Sequence, residues 1–271
     1  MRTIIASAVF LSLLGLSAIA KAADANQASV QFGPQSFHWR EFGDTGGRLL
    51  QEQGARFSVG AAFDNFRRED AGVLYSVNGK LYLGSIDYDG QTQSGTPATT
   101  DVSYFGLNIE LQGGYRIGRR IGLDVFGALG FDDWIRSIAD GRAANGTTVY
   151  GYEEYYTILY GKAGLGFFQR LDGWRYFLQG GVKMPLSTSE HVDLGSGVDL
   201  QPGLKPSAFA NFQFDFGSGR HNRFGAALYY DSYRFSKSDP ELLTEGGITY
   251  QVWQPRSHMD VYGLRLSYYF L

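Results

Sequence analysis

The 271-residue sequence contains no cysteine, which removes thiol chemistry from the list of possible functions. Without thiols the chain has no disulfide, no thiolate nucleophile and no cysteine-ligated metal. Its length allows it to bury enough surface to fold without covalent cross-links. Histidine is scarce, at four residues, and neither phosphate-binding loops nor the histidine spacings of metal sites are present. We therefore expect no cofactor and no metal.

Long apolar runs and clusters of positive charge are missing as well. Beyond residue 22, no stretch approaches the ~18 uninterrupted apolar residues that a membrane-spanning helix needs. The formal net charge is −3 and the sequence has no basic stripe, which argues against a nucleic-acid partner. These absences exclude a helical membrane protein and a protein that binds DNA or RNA.

Residues 1–22 have the pattern of a secretory signal peptide. Arg2 precedes an apolar run, and Ala20-Lys21-Ala22 provides a cleavage site with small residues on either side of one variable position. A membrane-anchor helix would need a longer apolar stretch and a stop-transfer flank. The sequence thus predicts export, cleavage after Ala22, and one mature domain over residues 23–271 with a short polar lead-in at 23–35.

Glycine and aromatic residues are abundant: the chain has 37 glycines and 15% aromatics, and this glycine content is roughly twice ordinary usage. Apolar side chains recur at alternate positions, as in IGLDVFGALGF at 121–131, where the even-numbered positions are mostly small or polar. Period two indicates a β-strand with one apolar face. We predict strands at 36–43, 55–64, 73–83, 102–117, 121–134, 152–168, 174–184, 206–216, 223–236 and 258–270.

Connections between these segments alternate between short turns and long polar loops. The short turns are 118–120, 170–173 and 217–222, and the long loops are 135–151, 185–205 and 237–257. This alternation is typical of transmembrane up-and-down barrels, in which the long loops are extracellular. A soluble barrel would carry more charge on its outer face. We predict an all-β fold, an antiparallel transmembrane β-barrel of about ten strands.

The strand count leaves one alternative open. Asn78-Gly79 could form a hairpin turn, but the odd-numbered apolar positions continue through it without a change of phase, which favours one strand. If these residues do form a turn within an external loop and 36–43 lies outside the barrel, the count falls to eight. An even number places both chain ends on the periplasmic side.

The last residues, VYGLRLSYYFL, form a two-faced strand that ends in an aromatic residue. Gly263, Leu266, Tyr268 and Phe270 resemble the C-terminal assembly signal of Gram-negative outer-membrane β-barrel proteins. In that family the barrel-assembly machinery reads a terminal strand of alternating hydrophobic residues. Leu271 departs from the pattern, because it extends one residue beyond the final aromatic. The resemblance implies an outer-membrane location with lipid and lipopolysaccharide as surroundings, and we expect a monomer.

Several charged residues fall on the inward face of the predicted strands. Counting from the periplasmic turns places five of them at similar heights: Lys80, Glu110, Lys162, Asp231 and Arg265. A lower tier contains Asp124, Arg175 and Asp215. A ten-stranded barrel is narrow enough for side chains to fill, and an unpaired buried charge costs several kcal/mol. We therefore predict that these charges pair and obstruct the lumen.

Candidate catalytic residues are few and scattered. His191 lies among Ser187, Ser189 and Asp193, a composition that a Ser-His-Asp hydrolase also uses, although turn-forming residues of a solvated loop explain it equally. Asp132 and Asp133 faintly resemble the paired acids of omptin-type proteases, whose chemistry would need a second acid–histidine pair across the barrel mouth. The sequence offers only His191 with Asp193, in a predicted loop, so no catalytic residue is assigned. The remaining histidines, His38, His221 and His258, carry no catalytic pattern.

Aromatic residues gather near both ends of the strands. Residues toward the outer ends are Trp134, Tyr152, Tyr155, Tyr156, Tyr230 and Tyr233. Residues toward the periplasmic ends are Phe167, Trp174, Tyr176, Phe214, Phe216, Phe224, Tyr268 and Phe270. Two belts at the lipid interfaces would account for them. The sequence therefore favours a small outer-membrane barrel with a structural or surface-interaction role and a largely plugged lumen. A narrow solute channel and an outer-membrane hydrolase are the alternatives.

Overall fold

The computed structural model describes residues 26–66, 70–91, 95–217 and 223–270, so the signal-peptide prediction lies outside the described residues. Ten long antiparallel strands form one closed sheet. They are β1 (Gln27–Phe42), β2 (Arg48–Asp64), β3 (Gly72–Gln91), β4 (Pro97–Gly118), β5 (Ile121–Ile138), β6 (Tyr152–Leu171), β7 (Trp174–Asp193), β8 (Ser207–Phe216), β9 (Arg223–Ser236) and β10 (Arg256–Phe270). Each strand pairs with its sequence neighbours, and β10 closes the barrel against β1, with Ala28 opposite Phe270 and Phe42 opposite Arg256.

The predicted all-β barrel of ten antiparallel strands is confirmed, and the count of eight is wrong. Asn78 and Gly79 lie inside β3, opposite Glu110 and Ile109 of β4, so the segment is one continuous strand. The predicted lead-in at 23–35 is wrong, because β1 begins at Gln27. Its first residues, Gln27 to Phe32, already alternate polar and apolar side chains, so the period-two signal of the strand was present in the sequence.

The predicted long loops are largely β-structure. The first of them contains the end of β5 and two short strands, Gly141–Ala143 and Thr148–Val149. The second contains the end of β7 with Val198–Leu200 paired to it and Gly203–Lys205 paired to β9. In the third, Glu241–Glu245 pairs with Ile248–Val252. The long connections are thus mostly strand extensions and hairpins.

A band of exposed apolar side chains surrounds the barrel. It starts at the periplasmic turns and ends at Leu83 on β3, Phe105 on β4 and Tyr262 on β10. Above it the outward positions are polar, for example Ser85 and Ser103. Each strand crosses the band in close to the ~9–11 residues that a tilted strand needs to span a bilayer. We take this lipid-facing band as the membrane-spanning segments.

The strands continue above the band as a polar-walled extension of the barrel. On β10 the extension comprises residues 256–261, and on β7 it comprises residues 187–193. The described ranges contain no helix, and so no helix that could cross a membrane.

Inward-facing glycines make room for aromatic rings in the lumen. A Cβ on Gly130 would lie 2.1 Å from the ring of Tyr160, and one on Gly106 would lie 2.4 Å from the ring of Tyr82. Real Cβ contacts do not come so close, so only glycine permits these rings to lie across the neighbouring strands. The high glycine content is therefore partly a requirement of lumen packing.

Candidate functional site in the barrel lumen

The lumen contains four levels of side chains, which we call the mouth, the collar, the cavity and the periplasmic closure. Strand β5 contributes to three of them, since Arg136 lies in the mouth, Asp132 in the collar and Asp124 in the periplasmic closure. All three face inward and are at most 5% exposed. The levels are taken below from the extracellular side to the periplasmic side.

Arg136 occupies the centre of the mouth. Its Nε donates to Glu52 at 2.9 Å and its Nη1 donates to Glu154 at 2.5 Å. The hydroxyls of Tyr104 and Tyr156 donate to the same two carboxylates. One guanidinium and two phenols therefore satisfy two glutamates that are almost completely buried.

Two further glutamates make the mouth acidic. Glu41 accepts hydrogen bonds from Trp39 Nε1 at 2.9 Å and from Gln254 Nε2 at 3.0 Å. Glu190 is 1% exposed, and its Oε2 has no hydrogen-bond partner among the described residues. Both lie above the lipid-facing band. Burial raises the pKa of Glu41 to about 7 and raises the pKa of Glu190 well above its ordinary value.

The raised pKa of Glu41 makes the stability of the barrel depend on pH. Between its ordinary value of 4.5 and about 7, the folded protein holds a proton that the unfolded chain releases. Stability therefore falls as pH rises through this window, by about 3 kcal/mol. Urea-unfolding midpoints at pH 4.5 and pH 8 will show the fall. Glu41→Gln keeps an acceptor oxygen and should reduce the slope; an unchanged slope in this variant would contradict the assignment.

The collar below the mouth is built around Asp132. Tyr82 donates to its Oδ1 at 2.8 Å and Tyr233 donates to its Oδ2 at 3.0 Å. Lys183 Nζ lies 3.4 Å from the centre of the Tyr233 ring and 3.0 Å from both oxygens of Asp231. Lys183 has no exposed surface, so this level is packed rather than hydrated.

Arg56 fills the other side of the collar. Its guanidinium carbon lies 4.2 Å from the centre of the Phe37 ring and 4.4 Å from that of Tyr82. Its Nε donates to Gln35 at 3.2 Å. A cation held against aromatic faces in a desolvated site gains favourable cation–π energy. The collar keeps this charge although, among the described residues, no carboxylate lies within ion-pair distance of Arg56.

A cavity of about 160 Å³ lies beneath the collar and contains the predicted upper tier of charges. Lys80, Glu110, Lys162, Asp231 and Arg265 all line it. Lys162 Nζ lies 2.7 Å from Glu110 Oε2, whereas Asp231 binds Lys183.

Two cations of the cavity have neutral partners. Arg265 donates to Asn211 and to Gln213, each at 3.2 Å. Lys80 lies 5.7 Å from the centre of the Tyr229 ring. Within the described ranges, neither cation has a carboxylate within ion-pair distance. The cavity is polar, and several waters would fit in it.

The periplasmic closure is held by two arginines that share one acceptor. Arg116 Nη1 and Arg175 Nη1 each donate to the carbonyl oxygen of Phe66 at 2.7 Å. Arg116 also binds Asp124 through two hydrogen bonds, and Arg175 binds Asp215. The start of the β2–β3 turn is thereby fixed beneath the cavity.

Sequence reasoning had selected only part of this set. Asp124, Arg175 and Asp215 lie together near the closure, but the partner of Asp124 is Arg116, which was not selected. Arg56, Arg136 and Lys183 were not assigned to the lumen network either. Their positions on the inward face of predicted strands, or of strand extensions, were the available signal.

The catalytic candidates do not meet in the mouth. Asp132 is a buried collar residue, whereas Asp133 lies on the outer face and accepts from Thr157 at 2.7 Å. His191 Nδ1 lies 2.7 Å from Asp199, and both side chains are exposed on the outer side of the wall. His221 lies outside the described residues. The described histidines all occupy outward positions, so this part of the chain forms no acid–histidine pair inside the mouth.

The predicted outer aromatic belt is wrong for four of its members. Tyr152 faces inward on β6, as Glu154 and Tyr156 do, and it packs against the buried cluster that contains Val192 and Leu243. Trp134, Tyr156 and Tyr233 face inward and are 1–2% exposed. They occupy the alternate positions of their strands that face the lumen, and they pack together. The rings of Trp134 and Tyr156 are stacked, with their centres 4.9 Å apart. The periplasmic aromatics do face outward, among them Phe216, Phe224 and Phe270.

A solved structure has a similar barrel architecture. The outer-membrane protease OmpT from Escherichia coli is similar with a TM-score of 0.54 and 10% sequence identity, over 90% of this chain and 96% of that one. The chain has the fold of an outer-membrane β-barrel protein. The translocator domain of the autotransporter NalP from Neisseria meningitidis, for comparison, gives a TM-score of 0.47 at 15% identity over 96% of each chain.

Other outer-membrane barrels give lower scores. OprG from Pseudomonas aeruginosa gives a TM-score of 0.37 at 15% identity, over 92% of this chain and 99% of OprG. No protein-family model matches the sequence, and no curated protein sequence matches it. The likeness to OmpT, at 10% identity, supports an outer-membrane barrel fold and assigns no activity to it.

Proposed function

We propose that the protein is a closed barrel of the bacterial outer membrane with a structural or surface-interaction role. The collar is the observation that carries the proposal. Asp132, Tyr82, Tyr233, Lys183 and Arg56 fill the lumen at one level, and all of them are less than 6% exposed. A filled level in a barrel of this size is what a non-conducting protein requires.

The tall extracellular wall supports the second half of the proposal. The strands project beyond the lipid-facing band, and paired hairpins continue them. The 241–252 hairpin contacts the 192–200 hairpin through buried Leu243, while Leu242 and Ile248 remain 66% and 58% exposed. A rigid surface with exposed apolar side chains suits contact with other molecules. We further propose that the barrel is monomeric and that its C-terminal strand engages the barrel-assembly machinery.

Planar-bilayer recording tests the closed state. The wild-type barrel should show little or no steady conductance, because the collar has no room for a hydrated ion. The Tyr82→Ala/Tyr233→Ala variant removes two rings and both hydroxyls that hold Asp132, and it should produce resolved channel openings. Tyr150→Ala is the matched control, since this loop side chain is 76% exposed. A large, stable wild-type conductance that the collar variant leaves unchanged would refute the proposal.

The cavity favours a narrow solute channel as the second candidate. A channel would need the collar to move, since the cavity lies entirely beneath it. In that case wild-type recordings would show brief openings, and the collar variant would lengthen them. The cavity charges Lys162 and Arg265 would then determine ion selectivity rather than closure.

A further inference from the structure

Charge is segregated on the outer wall above the lipid-facing band. The outward positions from β3 to β7 carry six carboxylates: Asp87, Asp89, Asp101, Asp133, Glu153 and Asp193. Arg142, on the short strand paired to β4, also faces outward there, so the sector remains acidic in sum. The opposite sector is basic. It begins at the short strand Gly203–Lys205 and continues through β9 and β10 to β1. Its cations, which we call the outer basic patch, are Arg40, Lys205, Arg234 and Arg256.

The strand register brings the patch into nearly one row. Arg40 and Arg234 flank His258 on opposite sides, and Lys205 pairs with Arg234 on the next strand. Paired residues lie on the same face of the sheet, and like charges directly opposite each other destabilise it. Such a row therefore favours an anion that lies against it.

Among the residues that the structure describes, one carboxylate belongs to this row. Asp260 accepts from Arg40 Nη2 at 2.8 Å and from Arg234 Nη2, and its side chain is 6% exposed. Arg256 packs 4.9 Å from the centre of the Phe42 ring. In the described part of the chain, neither Arg256 nor Lys205 has a carboxylate within ion-pair distance. Four cations against one carboxylate leave a formal excess of three positive charges.

Two further observations indicate that the patch has donors without acceptors and a positive local potential. The Nε atoms of Arg40 and Arg256 are buried without an acceptor among the described residues. His258 lies between the arginines, and burial together with Arg234, Arg256 and Arg40 lowers its pKa to about 4. The histidine is therefore neutral at pH 7 and adds no charge, and the local potential is positive.

The patch lies immediately above the lipid-facing band. Tyr230 and Tyr262 are directly below it, with ring centres 5.0 Å apart, and Leu264 and Leu266 continue the apolar surface toward the periplasm. An acyl chain packed along this surface would bring its headgroup to the height of the arginines. Aromatic rings at the interface are typical of this depth.

We propose that the outer basic patch binds the phosphate group of an acylated, phosphorylated lipid in the outer leaflet. The inference rests on the proposed outer-membrane location and adds a specific site to it. Guanidinium groups bind phosphate through paired, charge-assisted hydrogen bonds. The acidic sector from β3 to β7 repels the same group, so the lipid is held on one side of the barrel.

Native mass spectrometry of the folded barrel in detergent tests the site. Three probes are compared: a bisphosphorylated multi-acyl lipid, the same lipid without phosphate, and inorganic phosphate. The Lys205→Gln/Arg256→Gln variant removes two charges and leaves the bonds of Arg40 and Arg234 to Asp260 in place. The matched control is Arg119→Gln/Arg120→Gln, which removes two exposed charges from a periplasmic turn. Heat-modifiable gel mobility verifies that each variant is folded.

The phosphorylated lipid should bind the wild type most tightly. The patch variant should bind it about 25-fold more weakly, at about fivefold per lost charge, and the control should bind as the wild type does. Equal binding of the phosphate-free lipid, equally tight binding of inorganic phosphate, or equal loss in the control would each overturn the proposal. The patch substitutions lie on the outer wall and should not change bilayer conductance, which depends on the collar. A failure of the lipid-binding proposal can therefore be distinguished from a failure of the closed-barrel proposal.

Discussion

Replacing Arg136 with methionine will lower the free energy of unfolding by about 3–5 kcal/mol, because it leaves two buried carboxylates without a counter-charge. Glu52 and Glu154 are less than 5% exposed, and both bind this guanidinium. Urea titration of the folded barrel in detergent, followed by tryptophan fluorescence, measures the loss. Trp39 and Trp134 belong to the same buried cluster and will report its unfolding.

Two controls separate burial from charge in this experiment. Arg48→Met breaks an ion pair with Asp89 whose partners are 48% and 64% exposed, and it should cost about 0–1 kcal/mol. The Arg136→Met/Glu52→Gln/Glu154→Gln variant removes all the charges of the triad and should recover most of the loss. If Arg136→Met costs no more than Arg48→Met, the mouth is hydrated and the buried triad is not a stabilising element.

Replacing Tyr268 and Phe270 with serine will abolish insertion into the membrane while leaving export intact. Both residues face outward on β10, the strand that closes the barrel against β1, and the rings of Tyr268 and Phe224 lie 5.3 Å apart. The variant should lose the heat-modifiable barrel form in outer-membrane fractions. Degradation products in the periplasm would show that the chain was exported but not assembled.

A matched pair of aromatics distinguishes a terminal signal from simple loss of apolar surface. Phe214→Ser/Phe216→Ser has the same spacing and the same periplasmic depth, but it lies on β8. This variant should still insert with reduced stability. Failure of both pairs would mean that lipid-facing surface, and not the terminal strand, decides assembly. Normal insertion of the Tyr268→Ser/Phe270→Ser barrel would refute the signal outright.

Most of the fold followed from alternation, and the misses have physical causes. Period two identifies which face of a strand is apolar, but only where the outer face crosses the lipid band. Above the band both faces are polar or mixed, so the extensions at 135–138 and 185–193 looked like loops. Trp134 was placed in the lipid belt by its position near a strand end, although its parity with Asp132 already indicated the inward face.

Partners across the lumen were harder to predict than partners within a hairpin. Arg116 lies directly opposite Asp124, and Arg175 directly opposite Asp215. The short turn between β4 and β5 fixes the first of these registers, so that pair could have been found from sequence. Arg136 and Glu52 are 84 positions apart and lie on strands that are not neighbours. Their contact depends on strand tilt and barrel closure, which the alternation pattern does not specify.

The hydrogen bonds that cross the lumen have a mechanical consequence. Asp132 on β5 is held by Tyr82 from β3 and by Tyr233 from β9. Arg136 on β5 likewise binds Glu52 on β2, which is not a neighbouring strand, while its bond to Glu154 joins β5 to the adjacent β6. Bonds in these different directions resist flattening of the cross-section when lateral pressure in the bilayer changes or a neighbouring protein presses on the wall. The barrel should therefore keep a nearly constant outline in membranes of different composition.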